Sequence, residues 1–131
     1  PVFADDTGLV IEALNGEPGV YSARYAGPNC SFQDNCDKVL FNLKAKSNRV
    51  AHFKTVVSLI IDGKETQFEG IVNGKMLEEG RGNDGFGYDP VFQPDGFQEC
   101  FAEMSLEQKN KISHRGIAVR KLVEYLGGNL V

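Results

Sequence analysis

The feature that most constrains this chain is a pair of β-rich runs, VAHFKTVVSLII (50–61) and TQFEGIV (66–72), either side of an Asp62-Gly63 step. Valine, isoleucine and threonine favour extended backbone, and Asp-Gly supplies the positive φ values that a tight hairpin turn needs. Two long antiparallel strands are therefore expected at the centre of the fold. Residues 2–4 read as a short strand ending at Asp5-Asp6-Thr7-Gly8, residues 9–14 as a second short strand, and residues 15–19 (NGEPG) as a turn. Ser31 can cap a helix over 31–46, where Val39, Leu40 and Leu43 recur at helical spacing. Residues 78–87 form a charged, Gly-rich loop, and 88–92 a short strand that Pro90 keeps from a central position. Ser105 and Gln108 form a capping-box pattern for a short helix. Residues 113–126 make a last helix, with Ile117, Leu122 and Leu126 in its apolar set and Gly127 as its stop. The interleaved elements imply an α/β fold: a mixed β-sheet with a long antiparallel hairpin, flanked by helices.

With 131 residues the chain is expected to be a single domain, 1–131, large enough to bury a core. Its net charge of -4 gives no global attraction to polyanions, which argues against a nucleic-acid polymer or an anionic membrane as partner. A phosphate ligand would have to be held by a local cluster of cations or by a metal. No apolar run reaches the roughly 20 residues of a membrane span. Cys30, Cys36 and Cys100 are odd in number and lack CxxC spacing, which fits reduced thiols in a cytoplasmic protein better than a disulfide framework or a zinc site. The chain opens on Pro1-Val2-Phe3-Ala4 with no initiating Met, a strand already under way, so residues are expected upstream.

Three stretches carry candidate chemistry. DGFGYDPVF (84–92) puts two acids and three aromatic rings on a glycine-rich bend. Phe86 and Tyr88 offer faces for a planar ring, and base–aromatic stacking contributes roughly 1–3 kcal/mol per base. Asp84 or Asp89 could accept hydrogen bonds from ring N–H groups; the plainer alternative is a hydrophobic loop tucked onto the core. In ADDTG (4–8), successive side chains of a strand point to opposite faces, so Asp5 and Asp6 cannot both reach one ligand if the strand persists. One of them, facing a cleft, could bind Mg²⁺ or take a proton from water; the alternative is an Asp-rich turn closing on Gly8. In LEQKNKISHRG (106–116), Lys109, Lys111, His114 and Arg115 flank a helix start at Ser113. Cations are unfavourable in a helix's first turn, which suggests that His114 and Arg115 serve a ligand rather than the helix; the alternative is a solvated basic turn. Rings, edge acceptors, cations and a carboxylate together describe a site for a Mg²⁺-bound nucleotide.

On FADDTGL (3–9), GEPGVYSARYAG (16–27), GFGYDPVF (85–92) and KNKISHRG (109–116) the sequence resembles the inosine triphosphate pyrophosphatase family, the noncanonical purine NTP pyrophosphatases. The stretches occur in the family's order and span nearly the whole chain. The resemblance implies hydrolysis of ITP, dITP or XTP between the α- and β-phosphates, giving the monophosphate and pyrophosphate. It implies that Asp6 is the general base and a Mg²⁺ ligand, and that Thr7 contacts substrate. Phe86, Gly87, Tyr88 and Asp89 would form the base-side wall, and Lys109, His114 and Arg115 would hold the purine and its 6-oxo group. Lys, Arg and protonated His are donors, so they suit a keto oxygen and leave adenine's amino group mispaired. The family is commonly homodimeric. Its Thr/Ser-x-Asn-x-x-Lys phosphate loop and a metal-binding Glu would lie upstream of Pro1. The chain is therefore expected to be the C-terminal two-thirds of a longer pyrophosphatase, and a nucleotide-binding fragment without catalysis is the alternative.

Overall fold

The structure is a computed structural model that describes residues 2–82 and 87–129. Its centre is a five-stranded sheet in the order β2-β1-β3-β4-β5, made of Val2–Ile11, Pro18–Gly19, Val50–Ile61, Lys64–Met76 and Phe92–Pro94 in chain order. The hairpin expected from the sequence is β3–β4. Its two strands pair in continuous register from Ile61↔Lys64 to Val50↔Lys75. Asp62 and Gly63 turn it with φ of 52° and 79°, the left-handed pair that a two-residue loop between right-twisted strands requires.

All four strand pairings among the described residues are antiparallel, where a mixed sheet was expected. The chain leaves β1, crosses one face through α1 (Phe32–Asn42) and re-enters the sheet beside β1 in the opposite direction. The expected break after Ala4 is absent too: β1 is one strand, and every residue from Val2 to Ile11 has a partner on β3. That neighbour holds Asp5–Gly8 extended against their local preference for a turn. Residues 89–91 form a 3-10 turn instead of a strand, and β5 follows it.

Alternation divides the sheet into two faces. Leu9 and Ile11 of β1, Phe53 and Val57 of β3, and Val72 and Met76 of β4 are buried on one face. Asp6, Lys54 and Glu69 lie on the other by register, the last two paired at 3.2 Å. Helix α1 packs Cys36, Val39 and Leu43 onto the buried face. Its start is an observed capping box, in which the Ser31 hydroxyl accepts from the Asp34 amide and the Asp34 carboxylate from the Ser31 amide. Phe92 and Phe101 fill the centre of the core, each contributing roughly 1.5–3 kcal/mol by burial.

Helices α2 (Leu106–Ile112) and α3 (His114–Asn129) meet at Ser113. Ser105 caps α2 by accepting from the Gln108 amide, as its position suggested. Ser113 ends α2 and also accepts from the Gly116 amide at 3.0 Å, so one residue turns the corner between two helices. Helix α3 packs Ala118 and Leu122 onto Val57 and Leu59. It comes so close to β4 that a Cβ on Gly70 would lie 1.9 Å from the His114 carbonyl oxygen. Gly127 is not the end of α3, which runs to Asn129; glycine weakens a helix without obliging it to stop.

Candidate active site

Between the α2–α3 corner, β1 and the segment after Gly87 lies a cleft of about 710 Å³. That is within the range of small-molecule sites, roughly 300–1,000 Å³. Thr7, Gly87, Tyr88, Asp89, Lys109, His114 and Arg115 all line it, so the structure gathers seven expected site residues from four separate elements. Phe86 and Asp84 lie outside the described residues. Asp6 is exposed, sits on the sheet face opposite Asp5 and Thr7, and is not among the lining residues.

The wall carrying Gly87–Asp89 is tied down on three sides. Gly87 has a φ of 62°, and its carbonyl accepts from the Cys36 thiol at 3.2 Å. The Tyr88 hydroxyl donates to the Ser22 carbonyl at 2.6 Å, which leaves the ring as the part that borders the cleft. Burial, with the neighbouring Cys36, Cys30 and Tyr25, raises the pKa of Tyr88. Burial likewise pushes the Cys36 thiol up to about 11, so it stays protonated and keeps donating to Gly87. Asp89 is buried and forms an ion pair with Lys109; their side chains are only 7% and 14% exposed. The lysine from α2 thus carries its charge to the cleft compensated by a carboxylate from the opposite wall.

His114 opens α3 and is buried against β3. Its ring stacks on Phe53, with centroids 4.6 Å apart and planes 14° from parallel. Its Nδ1 atom is buried without a hydrogen-bond partner. Burial, then the charges of Lys109 and Arg115, lower its pKa to about 4. The imidazole is therefore neutral near pH 7, and only one ring nitrogen carries a proton; the cations lining the cleft are Lys109, Arg115 and Arg120, the last donating to the Asn110 and Lys111 carbonyls. The Arg115 guanidinium lies 3.1 Å from the Asp5 carboxylate. Thr7 faces the cleft, and its hydroxyl shares a hydrogen bond of 2.9 Å with that of Thr55, which is wholly buried on β3.

Sequence reasoning missed Phe53 as part of this site, and the residues alone left open which of Asp5 and Asp6 faces a cleft; Asp5 does not line it but pairs with Arg115, which does. Alternation along β1 would have placed Asp5 beside Thr7 had the strand been read as continuous. Nothing local marks Phe53, which reads as one more buried residue of a long strand. Asn35 was missed as well. It is 2% exposed, and its side-chain oxygen accepts from the Ala26 amide at 2.8 Å while its amide donates to the Ala23 carbonyl at 3.2 Å, holding the SARYAG segment beside the cleft.

The arrangement defines an α/β protein with a concave site, its floor a neutral imidazole on an aromatic ring and its rim set with cations. The chain belongs to the Ham1 family, which matches over residues 1–125, in keeping with the resemblance carried by the four motifs. It is 56% identical over 124 residues to a dITP/XTP pyrophosphatase of Christiangramia forsetii, covering 95% of this chain and 65% of that protein. A dITP/XTP pyrophosphatase of Flavobacterium psychrophilum is 55% identical over 123 residues, covering 94% and 65%. The solved Ham1 protein of Staphylococcus aureus superposes with a TM-score of 0.94 at 44% identity, over 98% of this chain and 67% of that one. This chain therefore spans about 65% of the length of these curated relatives.

Proposed function

We propose that this protein hydrolyses noncanonical purine nucleoside triphosphates (ITP, dITP and XTP) to the monophosphate and pyrophosphate, removing them from the nucleotide pool. The observation that carries the reading is the convergence of Tyr88, Lys109, His114 and Arg115 on one cleft. The names of its relatives point to the same substrates.

In this reading the purine lies in the cleft against the Gly87–Asp89 wall. Lys109 and Arg115 present N–H donors to the 6-oxo group. Adenine places an amino donor there, and a buried donor left facing a donor costs about 1–3 kcal/mol. Neutral His114 supplies a flat edge and at most one further N–H. Thr7 contacts the substrate where β1 passes the cleft, and the phosphates must reach past β1 to meet Asp6, whose side chain leaves the strand on the other face.

Asp6 is the residue that would hold Mg²⁺. Among the described residues no group of three or more His, Cys, Asp or Glu side chains gathers to hold a metal alone, so a single exposed carboxylate fits an ion that arrives on phosphates. When bound, the ion neutralises charge on the phosphate oxygens. Asp6 also takes the proton of the attacking water, and pyrophosphate departs. We place the protein in the cytoplasm, as a homodimer; among the described residues no helix is long and apolar enough to cross a membrane.

The test is product analysis of ITP with Mg²⁺, on the 131-residue chain and on a version extended to the length of its relatives. IMP and pyrophosphate are expected from the extended version at least. IDP and orthophosphate, or no turnover by either, would overturn the reading.

A further inference from the structure

We propose that Asp5 is a positioning residue, whose carboxylate holds the Arg115 guanidinium at the mouth of the cleft. This rests on the reading of Arg115 as a substrate-binding residue.

The register of β1 puts Asp5 on the same face as Thr7, two residues along the strand. Helix α3 starts over that face, because Gly70 lets the His114 backbone approach the sheet. Arg115 is then the first cation of α3 able to reach back to β1, and it does, at 3.1 Å from the Asp5 carboxylate. A cation in a helix's first turn is opposed by the helix dipole, so without a counter-charge Arg115 would be drawn away from the corner. The Arg115 side chain is 64% exposed and that of Asp5 35%, so the pair contributes little to folding. Its effect is directional. A guanidinium has five N–H donors in a rigid plane, so fixing one edge on a carboxylate aims the others. Asp6, one residue along, lies on the opposite face and cannot take this part.

The experiment compares wild type, Asp5→Asn, Asp5→Glu, Arg115→Ala and the Asp5→Asn/Arg115→Ala pair, in the version extended to the length of its relatives. Two readouts are taken. The first is the rate at which phenylglyoxal modifies Arg115, followed by mass spectrometry; it needs no substrate. Asp5→Asn is expected to speed it several-fold and Asp5→Glu to restore it. The second is steady-state hydrolysis of ITP. Asp5→Asn is expected to raise KM about fivefold, as for loss of one exposed charge contact, with a smaller change in kcat. In the Arg115→Ala background Asp5→Asn should add nothing. An unchanged modification rate, or an equal rise in KM in the Arg115→Ala background, would overturn the proposal. Failure of the wild type to hydrolyse ITP counts against the proposed function instead, and the modification rate then decides the role of Asp5 by itself.

Discussion

The ring of His114, the first residue of α3, lies flat on the ring of Phe53 from β3, 4.6 Å between centroids. This contact joins the longest helix to the central hairpin and sets the floor of the cleft. It also removes the imidazole from water, and that removal has a consequence for pH.

His114 has its pKa lowered from 6.5 to about 4, burial being the main cause. Between those values the unfolded chain binds a proton that the folded chain does not, so stability is full above about pH 6.5 and falls as the pH drops towards 4. The expected loss from this group is about 3 kcal/mol. Urea denaturation at pH 7 and pH 4.5 measures it. His114→Phe, which keeps a ring on Phe53, should show a smaller drop between the two pH values. An identical drop in wild type and variant would place the acid sensitivity elsewhere.

Asp89 and Lys109 are each other's ion-pair partners in a nearly dry site. Lys109→Met should cost about 3 kcal/mol of stability, because a buried carboxylate loses a cationic partner. Adding Asp89→Asn should recover part of that loss. Chemical denaturation of the two singles and the double gives the coupling directly, and additive losses would show that the pair is not a unit.

Two glycines should respond in opposite directions. A methyl group at Gly70 would meet the His114 carbonyl oxygen, so Gly70→Ala must push α3 off the sheet; about 1–3 kcal/mol of destabilisation is expected from such overpacking. Gly127 lies inside α3 with nothing within 4 Å of a built Cβ, so Gly127→Ala should stabilise by about 0.5–1 kcal/mol. Melting temperatures of the two variants check both signs.

The thiols should differ in reactivity. Cys36 and Cys100 are buried, and burial raises the pKa of both, whereas Cys30 is partly exposed. Iodoacetamide at pH 8 should modify Cys30 well before the other two, as read by peptide mass spectrometry. Early modification of Cys36 would mean that the wall it holds through Gly87 opens in solution.

Asp6 tests the chemistry. As general base it should contribute about 10²–10⁴-fold to turnover, so Asp6→Asn should lower kcat by that order while nucleotide affinity changes much less. Equal losses in kcat and affinity would leave Asp6 a ligand anchor only.

Several elements were legible locally. The β3–β4 hairpin needed only two β-branched runs and Asp62-Gly63, α1 needed Ser31 and the helical spacing of Val39, Leu40 and Leu43, and α2 needed Ser105 with Gln108. These are decided by backbone preference and by hydrogen bonds within a few residues. Residues that meet in the cleft were legible as well, since Tyr88, Asp89, Lys109, His114 and Arg115 stand in short stretches whose composition suits neither a core nor a plain turn.

What no local pattern could decide was the set of relations between those stretches. Asp5–Gly8 have turn chemistry, yet β3 holds them extended, and that one fact sends Asp5 to the sheet face that Thr7 shares and Asp6 to the opposite one. His114 reads as a protonatable donor, yet packing on Phe53 keeps it neutral. Lys109 reads as a cation for a ligand or for solvent, yet it pairs with Asp89 from the opposite wall. The sequence by itself determined which residues carry charge, rings and turns. The tertiary structure decided which of them face one another and which lose their water, because strand register, burial and ion pairing depend on neighbours far away in the chain.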